Sequence, residues 1–430
     1  MLHPIKSPYK HLIWHHIMMF ISIIVLFSIQ NSAHAQTTPD PIRLRLGMYT
    51  NLMYDSPYPD LLLEFTQKTG IEVYLDDYSS GDLYPERVEQ LALNGSLNDV
   101  FLVAGDYLDT WLGAGYFLPL DGQVDNPDDF YPVALESAMR HNTMYCIPKN
   151  VSTIALIYNR DWFDEAGLAY PTNDWTWDDL RANAEALSQF KNAPMGMFLE
   201  TSAIYWMPLF YQAGGEFSDS NGYWSFNSPQ GVESIEFYTS LMAWGGTLYE
   251  FTSAWGIEAL FKQQVGMTFA GDWLFVAGGW LSTFEPLNWG AVMLPSHTQE
   301  ATVAFSDCYA VSANTHYPEA SIKLANYLSS AYVLEHVFSE GKIPARPSVE
   351  DDYVAYWQQA WADLGLIGNA DDIRIFPQSL SIARPYPVQQ QFLSSFYGAF
   401  EENIVLALRG DISAQSVLDR ILSALAIKTD

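Results

Sequence analysis

Residues 42–75 restrict the possible fold more than any other stretch of the chain. Residues 42–48, I-R-L-R-L-G-M, alternate as a half-buried strand does. Residues 59–68 put Leu61, Leu62 and Phe65 on one helical face, and Gly70 stands where a left-handed C-cap would end that helix. Residues 71–75, I-E-V-Y-L, alternate again. Strand, helix and strand in so short a span form a βαβ unit, which requires a parallel sheet covered by helices. Residues 100–103, V-F-L-V, are apolar on both faces, as a central strand of such a sheet should be. The expected class is α/β. At 430 residues the chain is too long for one core and comfortable for two lobes.

Residues 1–35 read as a cleavable signal peptide rather than as part of the fold. Lys6 and Lys10 start it, a 13-residue apolar run follows over 17–29, and Ala33-His34-Ala35 is a cleavage site. That run is short for a membrane span, and no cysteine stands at the cut, so no lipid anchor is expected. Export to the periplasm follows. The net charge of −30, from 20 basic and 50 acidic residues, repels nucleic acid and anionic lipid. Five of nine histidines lie in the leader and the rest are scattered, so no metal site is expected. No nucleophile elbow, H-E-x-x-H or phosphate-cradling glycine loop occurs, so no catalytic residue is assigned and no cofactor is expected. Cys146 and Cys308 are either two buried thiols or one long-range bridge.

Residues 261–280, FKQQVGMTFAGDWLFVAGGW, carry the first candidate for a site. A helix end passes through Gly266 into a short strand over 267–269. The Ala270-Gly271-Asp272 turn then delivers Trp273 at the mouth of the next helix, with Asp272 placed to cap it. Strand-to-helix corners are where α/β proteins hold small ligands. The alternative is a core Trp closing a βα unit.

This segment resembles the signature of the family 1 extracellular solute-binding proteins, the receptors of ABC importers such as maltose-binding protein. Further motifs fall in the family's order. Residues 144–168, MYCIPKNVSTIALIYNRDWFDEAGL, resemble its first domain crossover. Residues 175–180, W-T-W-D-D-L, resemble a helix start, with Thr176 and Asp179 as a capping box. Tyr205-Trp206 leads to Gly214-Gly215, and a tyrosine-bearing helix over 389–408 is followed by Gly410 and a short last helix. The likeness runs over nearly all of 42–430.

The resemblance implies a two-lobed periplasmic-binding-protein fold, type II-like. Each lobe would be a mixed, mainly parallel sheet flanked by helices, joined to the other by crossover hinge strands. The N-terminal lobe would hold 41–150 and 309–345, and the C-terminal lobe 151–308 and 346–430. It implies a monomeric receptor, not an enzyme, that closes on a neutral carbohydrate and delivers it to the permease subunits of an ABC transporter. Trp273 would stack on the sugar, Asp106 would bond its hydroxyls, and Tyr397 would cover it from the other side. Tyr205 or Trp206 would add a second stacking ring, the other being core. Tyr49 and Thr50 at the end of the first strand complete the set, with Ser152 and Asp307 on the crossovers. Ser152 stands where some relatives carry an acidic sugar ligand. Phe305-Ser306-Asp307 replaces the family's usual Gly-Gly, a departure that bears on local ligand contacts. No Lys or Arg can be assigned to the cleft. The competing readings are a secreted carbohydrate-active enzyme and a receptor for a polyamine or glycerophosphodiester. If 145–156 and 304–312 are neighbouring crossovers, Cys146 and Cys308 come close enough to bridge.

Overall fold

The computed structural model describes residues 40–49, 56–78, 83–191, 196–219, 223–247, 253–366, 369–387 and 390–426. The leader lies outside them. Strands β1 (Arg43–Met48) and β2 (Glu72–Asp77) flank the helix Tyr58–Thr69 and pair in parallel, Leu44 beside Val73 and Leu46 beside Leu75. Gly70 caps that helix at φ 74°, its N–H bonding Thr66 O. β3 (Val100–Ala104) lies on the other side of β1, with Val100 to Val103 buried.

After a small hairpin of β4 (Met139–Arg140) and β5 (Thr143–Met144) come β6 (Cys146–Ser152) and β7 (Ile154–Asn159), separated by Thr153 alone. β6 belongs to the first sheet. β7 belongs to a second sheet with β8 (Met197–Phe198), β9 (Gly245–Gly246), β10 (Met267–Gly271) and β11 (Trp289–Val292), in the order β11-β7-β10-β8-β9. β12 (Thr302–Val311) returns the chain, running antiparallel to both β3 and β6. The first sheet is completed by β13 (Ile343–Pro344) on β6 and β14 (Ala383–Pro385) on the start of β12. Its main order is β13-β6-β12-β3-β1-β2.

Both sheets are mixed, and antiparallel pairs weigh more than the βαβ start suggested. The reason is the crossing strands: β12 enters the first sheet against β3, and β7 lies against both β10 and β11. Two buried clusters fill the molecule, one built on β1, β3, β6 and β12, the other on β7, β10 and the last helices. Cys146 and Cys308 form a disulfide between β6 and β12, with Cα atoms 5.5 Å apart. The two are not direct partners in the ladder: Cys146 faces Ala310 and Cys308 faces Pro148, beside a bulge at Asp307/Cys308.

Residues 370–387, which carry no sequence motif, form helix Ala370–Ser379, a 3₁₀ turn and β14. Pro377 reads as a breaker, yet Ile373, Ile375 and Phe376 are buried and burial holds the helix through it. Gly245-Gly246 forms β9, because bare backbone can lie close against Met197 O. Asp272 makes no cap; its side chain turns inward and is fully buried.

Candidate functional site

A cavity lined by aromatic rings lies between the sheets, at the ends of β3, β6 and β10 and against the middle of β12. The cavity is about 460 Å³, within the usual range for small-ligand sites. Trp273 reaches it from the corner after β10. A Cβ on Gly271 would stand 2.2 Å from the Trp273 ring, so glycine is what lets the indole fold back over the corner. The Trp273 indole lies close enough to the Tyr205 hydroxyl to favour its ionised form, which puts Tyr205 behind the ring. Phe305 meets Trp273 edge-on at 6.0 Å between centroids, and Tyr386 lies 5.2 Å beyond Phe305. Tyr386 donates to the Tyr397 hydroxyl at 2.7 Å. Tyr397 comes from helix Gln390–Leu408, about 100° round from the buried Phe396. Four rings therefore make one continuous wall.

The remaining lining is polar. Lys342 Nζ donates to Asp307 Oδ2 at 2.5 Å, with Tyr49, Ser152 and Ser306 nearby in the lining. Burial works against the Lys342 charge, but Asp307, Tyr49 and Asp272 restore it and hold its pKa above the ordinary value. The two charged groups lining the cavity among the described residues cancel each other. Gly105 brings the end of β3 against β12: a Cβ there would sit 2.8 Å from Ser306 O.

The structure brings together Trp273, Tyr397, Tyr49, Ser152 and Asp307. It does not bring Trp206, which is completely buried, donates to Ser234 Oγ at 2.9 Å and stacks on Phe210 and Phe400. Tyr205 supports the wall rather than lining it. Asp106 lies in the turn Gly105–Tyr107 at the end of β3, and its side chain is outside what is described. Thr50 lies outside the described residues. Sequence reasoning missed Phe305, Ser306, Ile204, Lys342 and Tyr386 as lining residues. The departure at Phe305-Ser306 was the one available signal. Lys342 corrects the expectation that no basic residue could be placed in the cleft.

Glu200, at the end of β8, is the carboxyl behind Tyr205. Burial pushes its pKa up to about 7, partly offset by the Gly256 N–H bond at 2.8 Å. A carboxyl raised in the folded state destabilises the fold as pH rises from its unfolded value through the folded one. Glu200→Gln, which imitates the protonated form, should therefore leave stability unchanged at pH 4 and raise it at pH 8. The gain should be up to about 3 kcal/mol. Urea melts of both proteins at the two pH values check this; a gain equal at both would place the effect elsewhere.

Two α/β lobes, joined by adjacent crossing strands and holding a ring-lined cavity between their sheets, define a two-lobed binding protein. The profile of the bacterial extracellular solute-binding proteins matches residues 50–332, and the chain belongs to that family. A binding protein of Brucella abortus is 24% identical over 245 residues, 54% of this chain. The chain spans 59% of the length of that relative. Thiaminase-1 of Paenibacillus thiaminolyticus is 22% identical over 80% of this chain and 85% of its own. A substrate-binding protein of Listeria monocytogenes, solved in complex with cycloalternan, superposes at TM-score 0.71 with 20% identity, covering 91% of this chain and 99% of that one. Among the described residues no helix is long and apolar enough to cross a membrane, and no cluster suited to a metal ion occurs.

Proposed function

We propose that the chain is an extracytoplasmic receptor that closes on a neutral mono- to oligosaccharide and passes it to the permease subunits of an ABC importer. The observation that carries this is the lining: a wall of four rings beside one charge-balanced pair. A sugar ring offers an apolar C–H face for stacking and a rim of hydroxyls that both donate and accept. Asp307 can accept from such a rim while Lys342 donates to it. A polyamine would call for unpaired carboxylates, and a phosphodiester for unpaired cations. The cycloalternan bound by the Listeria protein agrees in kind. The likeness to thiaminase-1 raises the enzyme reading, but both cysteines are in the disulfide and leave no thiol nucleophile. In this reading residues 1–35 are removed on export to the periplasm, no lipid anchor is attached, and the protein acts as a monomer. The lobes, 41–150 with 309–345 and 151–308 with 346–430, move about the crossing strands.

Calorimetry against glucose, maltose, maltotetraose, cycloalternan, spermidine and glycerophosphocholine tests the proposal. Heat of binding is expected for at least one sugar; binding of spermidine or glycerophosphocholine alone would overturn it. Trp273→Ala should weaken the tightest sugar by about 1–3 kcal/mol, the loss of one stacked ring, with cooperative unfolding retained. Unchanged affinity would return Trp273 to a packing role.

A further inference from the structure

We propose that Asp272 is a positioning residue: its carboxyl clasps the corner that carries Trp273 to the strand that follows Lys342. The stacking ring and the ammonium then stand at one fixed separation before any solute arrives. This deepens the reading of the cleft as the solute site and rests on it.

Two contacts make the clasp. Asp272, immediately before Trp273, is completely buried. Its Oδ2 accepts the N–H of Ile343, immediately after Lys342, at 3.0 Å. The second contact is packing. A Cβ on Gly341 would stand 2.6 Å from Val276 Cγ1, so only the bare backbone of a glycine lets the two segments lie this close. Gly341 also holds φ 88°, a conformation that glycine adopts without steric cost. Trp273 thus lies between the clasped residues of one segment, Asp272 and Val276. Lys342 lies between those of the other, Gly341 and Ile343.

Each segment has its own support. The Asp272 N–H donates to O of Thr153, the single residue between β6 and β7, at 3.3 Å. Tyr353, from helix Glu350–Asp363, donates to Gly341 O at 2.7 Å. Ile343 pairs with Val151 of β6, and the Ala345 N–H donates to Lys149 O at 3.1 Å, while the Ile343 N–H is directed at Asp272 instead.

The clasp joins the two sheets. Asp272 follows β10 of the second sheet, and Ile343 begins β13 of the first. Trp273 and Lys342 therefore approach the cleft from different sheets, yet they cannot part without breaking a buried hydrogen bond. When the lobes move about the crossing strands, other lining residues change their distance from this pair while the pair itself holds. Such a half-site favours a solute whose C–H face and hydroxyl rim match its spacing, and capture spends nothing on bringing ring and ammonium together. An acceptor oxygen is all the clasp needs, so the side-chain amide of asparagine should replace the carboxyl.

Hydrogen exchange of the unliganded full chain, read in ¹H–¹⁵N spectra, tests the clasp without any solute. In Asp272→Ala the Ile343 amide is expected to exchange at least about tenfold faster than in the wild type. The Ala345 amide, bonded to Lys149 O, serves as the unmoved reference, and Asp272→Asn should restore protection at Ile343. Unchanged protection of Ile343 in Asp272→Ala overturns the proposal. Calorimetry with the tightest of glucose, maltose, maltotetraose and cycloalternan then reads the positioning. Asp272→Ala should weaken binding about tenfold and Asp272→Asn less than about threefold; in a Lys342→Met background Asp272→Ala should cost about twofold or less. A merely structural role would cost the same factor with or without Lys342, and that result also overturns the proposal. A wild-type protein that binds none of these sugars would bring down the carbohydrate reading and the positioning role together. The exchange arm needs no solute, so loss of the clasp is read separately from that failure.

Discussion

Replacing Cys146 and Cys308 by serine is expected to cost about 5 kcal/mol of stability in oxidised protein. The sequence separation of 162 residues sets that size, since a cross-link removes more chain entropy from the unfolded state as its loop lengthens. The loop matters for what it encloses. β7, β8, β9, β10 and β11, the entire second sheet, lie between the two cysteines. The bridge thus fastens the second sheet's excursion at its root, where β6 leaves the first sheet and β12 comes back to it. Both cysteines are buried, so two serines would also leave hydroxyls without water, which adds to the loss. The Cys146→Ala/Cys308→Ala pair separates the two terms. Urea unfolding of all three proteins, with thiol alkylation to verify the bridge, measures the difference. A loss under about 1 kcal/mol for the alanine pair would mean that the unfolded chain is already compact around these strands.

Because the first buried cluster joins β1, β3 and β12 to Leu274, Phe275 and Trp289, which lie inside that loop, packing couples the looped segment to the first sheet without the bridge. The unbridged protein should therefore still unfold in one transition. Two separated transitions would show that the disulfide, rather than packing, couples the lobes.

What could be read in the sequence was what local chemistry fixes. The capping box is there: Thr176 N–H bonds Asp179 Oδ2 at 2.9 Å, and Asp179 N–H bonds Thr176 Oγ1 at 3.3 Å. Gly70, Gly167 and Gly410 all take positive φ where a helix ends. Trp273 was legible because Gly271 beside it announces a corner. The choice between Tyr205 and Trp206 was not, for a physical reason. Nearly every side chain of helix Ala203–Gln212 is buried, so apolar periodicity cannot say which face meets the cleft. Lys342 and Tyr386 were missed because each reaches the site from a segment with no motif, and only tertiary pairing with Asp307 and Tyr397 brings it there. Asp272 was misread for the opposite reason. A cap is the ordinary fate of an aspartate before a helix, and nothing local reveals that Ile343, 71 residues on, offers its N–H instead.

Lys149→Met should destabilise the protein by about 3–5 kcal/mol, whereas Lys149→Met with Glu340→Leu should cost clearly less. Lys149 Nζ donates to Glu340 Oε2 at 2.5 Å, and the two side chains are only 3% and 10% exposed. Tyr58 donates to Glu340 Oε1 at 2.9 Å, while its hydroxyl also meets that of Tyr309 at 3.2 Å. The ammonium lies over the rings of Tyr58 and Tyr309, at 5.6 and 6.0 Å. Removing the lysine alone leaves a carboxylate in a buried site with one hydroxyl to hold it, and that isolated charge is what costs most. Removing both leaves Tyr58 and Tyr309 to bond each other. The pair also has a task at the cleft: Glu340 ends the turn Phe338–Glu340, two residues before Lys342. Freed of Lys149, that turn should let Lys342 swing from Asp307, so sugar affinity should fall in the single variant although Lys149 is not among the residues lining the cleft. A double-mutant cycle on unfolding, with calorimetry on each variant, reads both effects. Equal losses in the single and double variants would mean that Glu340 escapes to water when its partner is gone, and the turn would then owe its position to backbone packing alone.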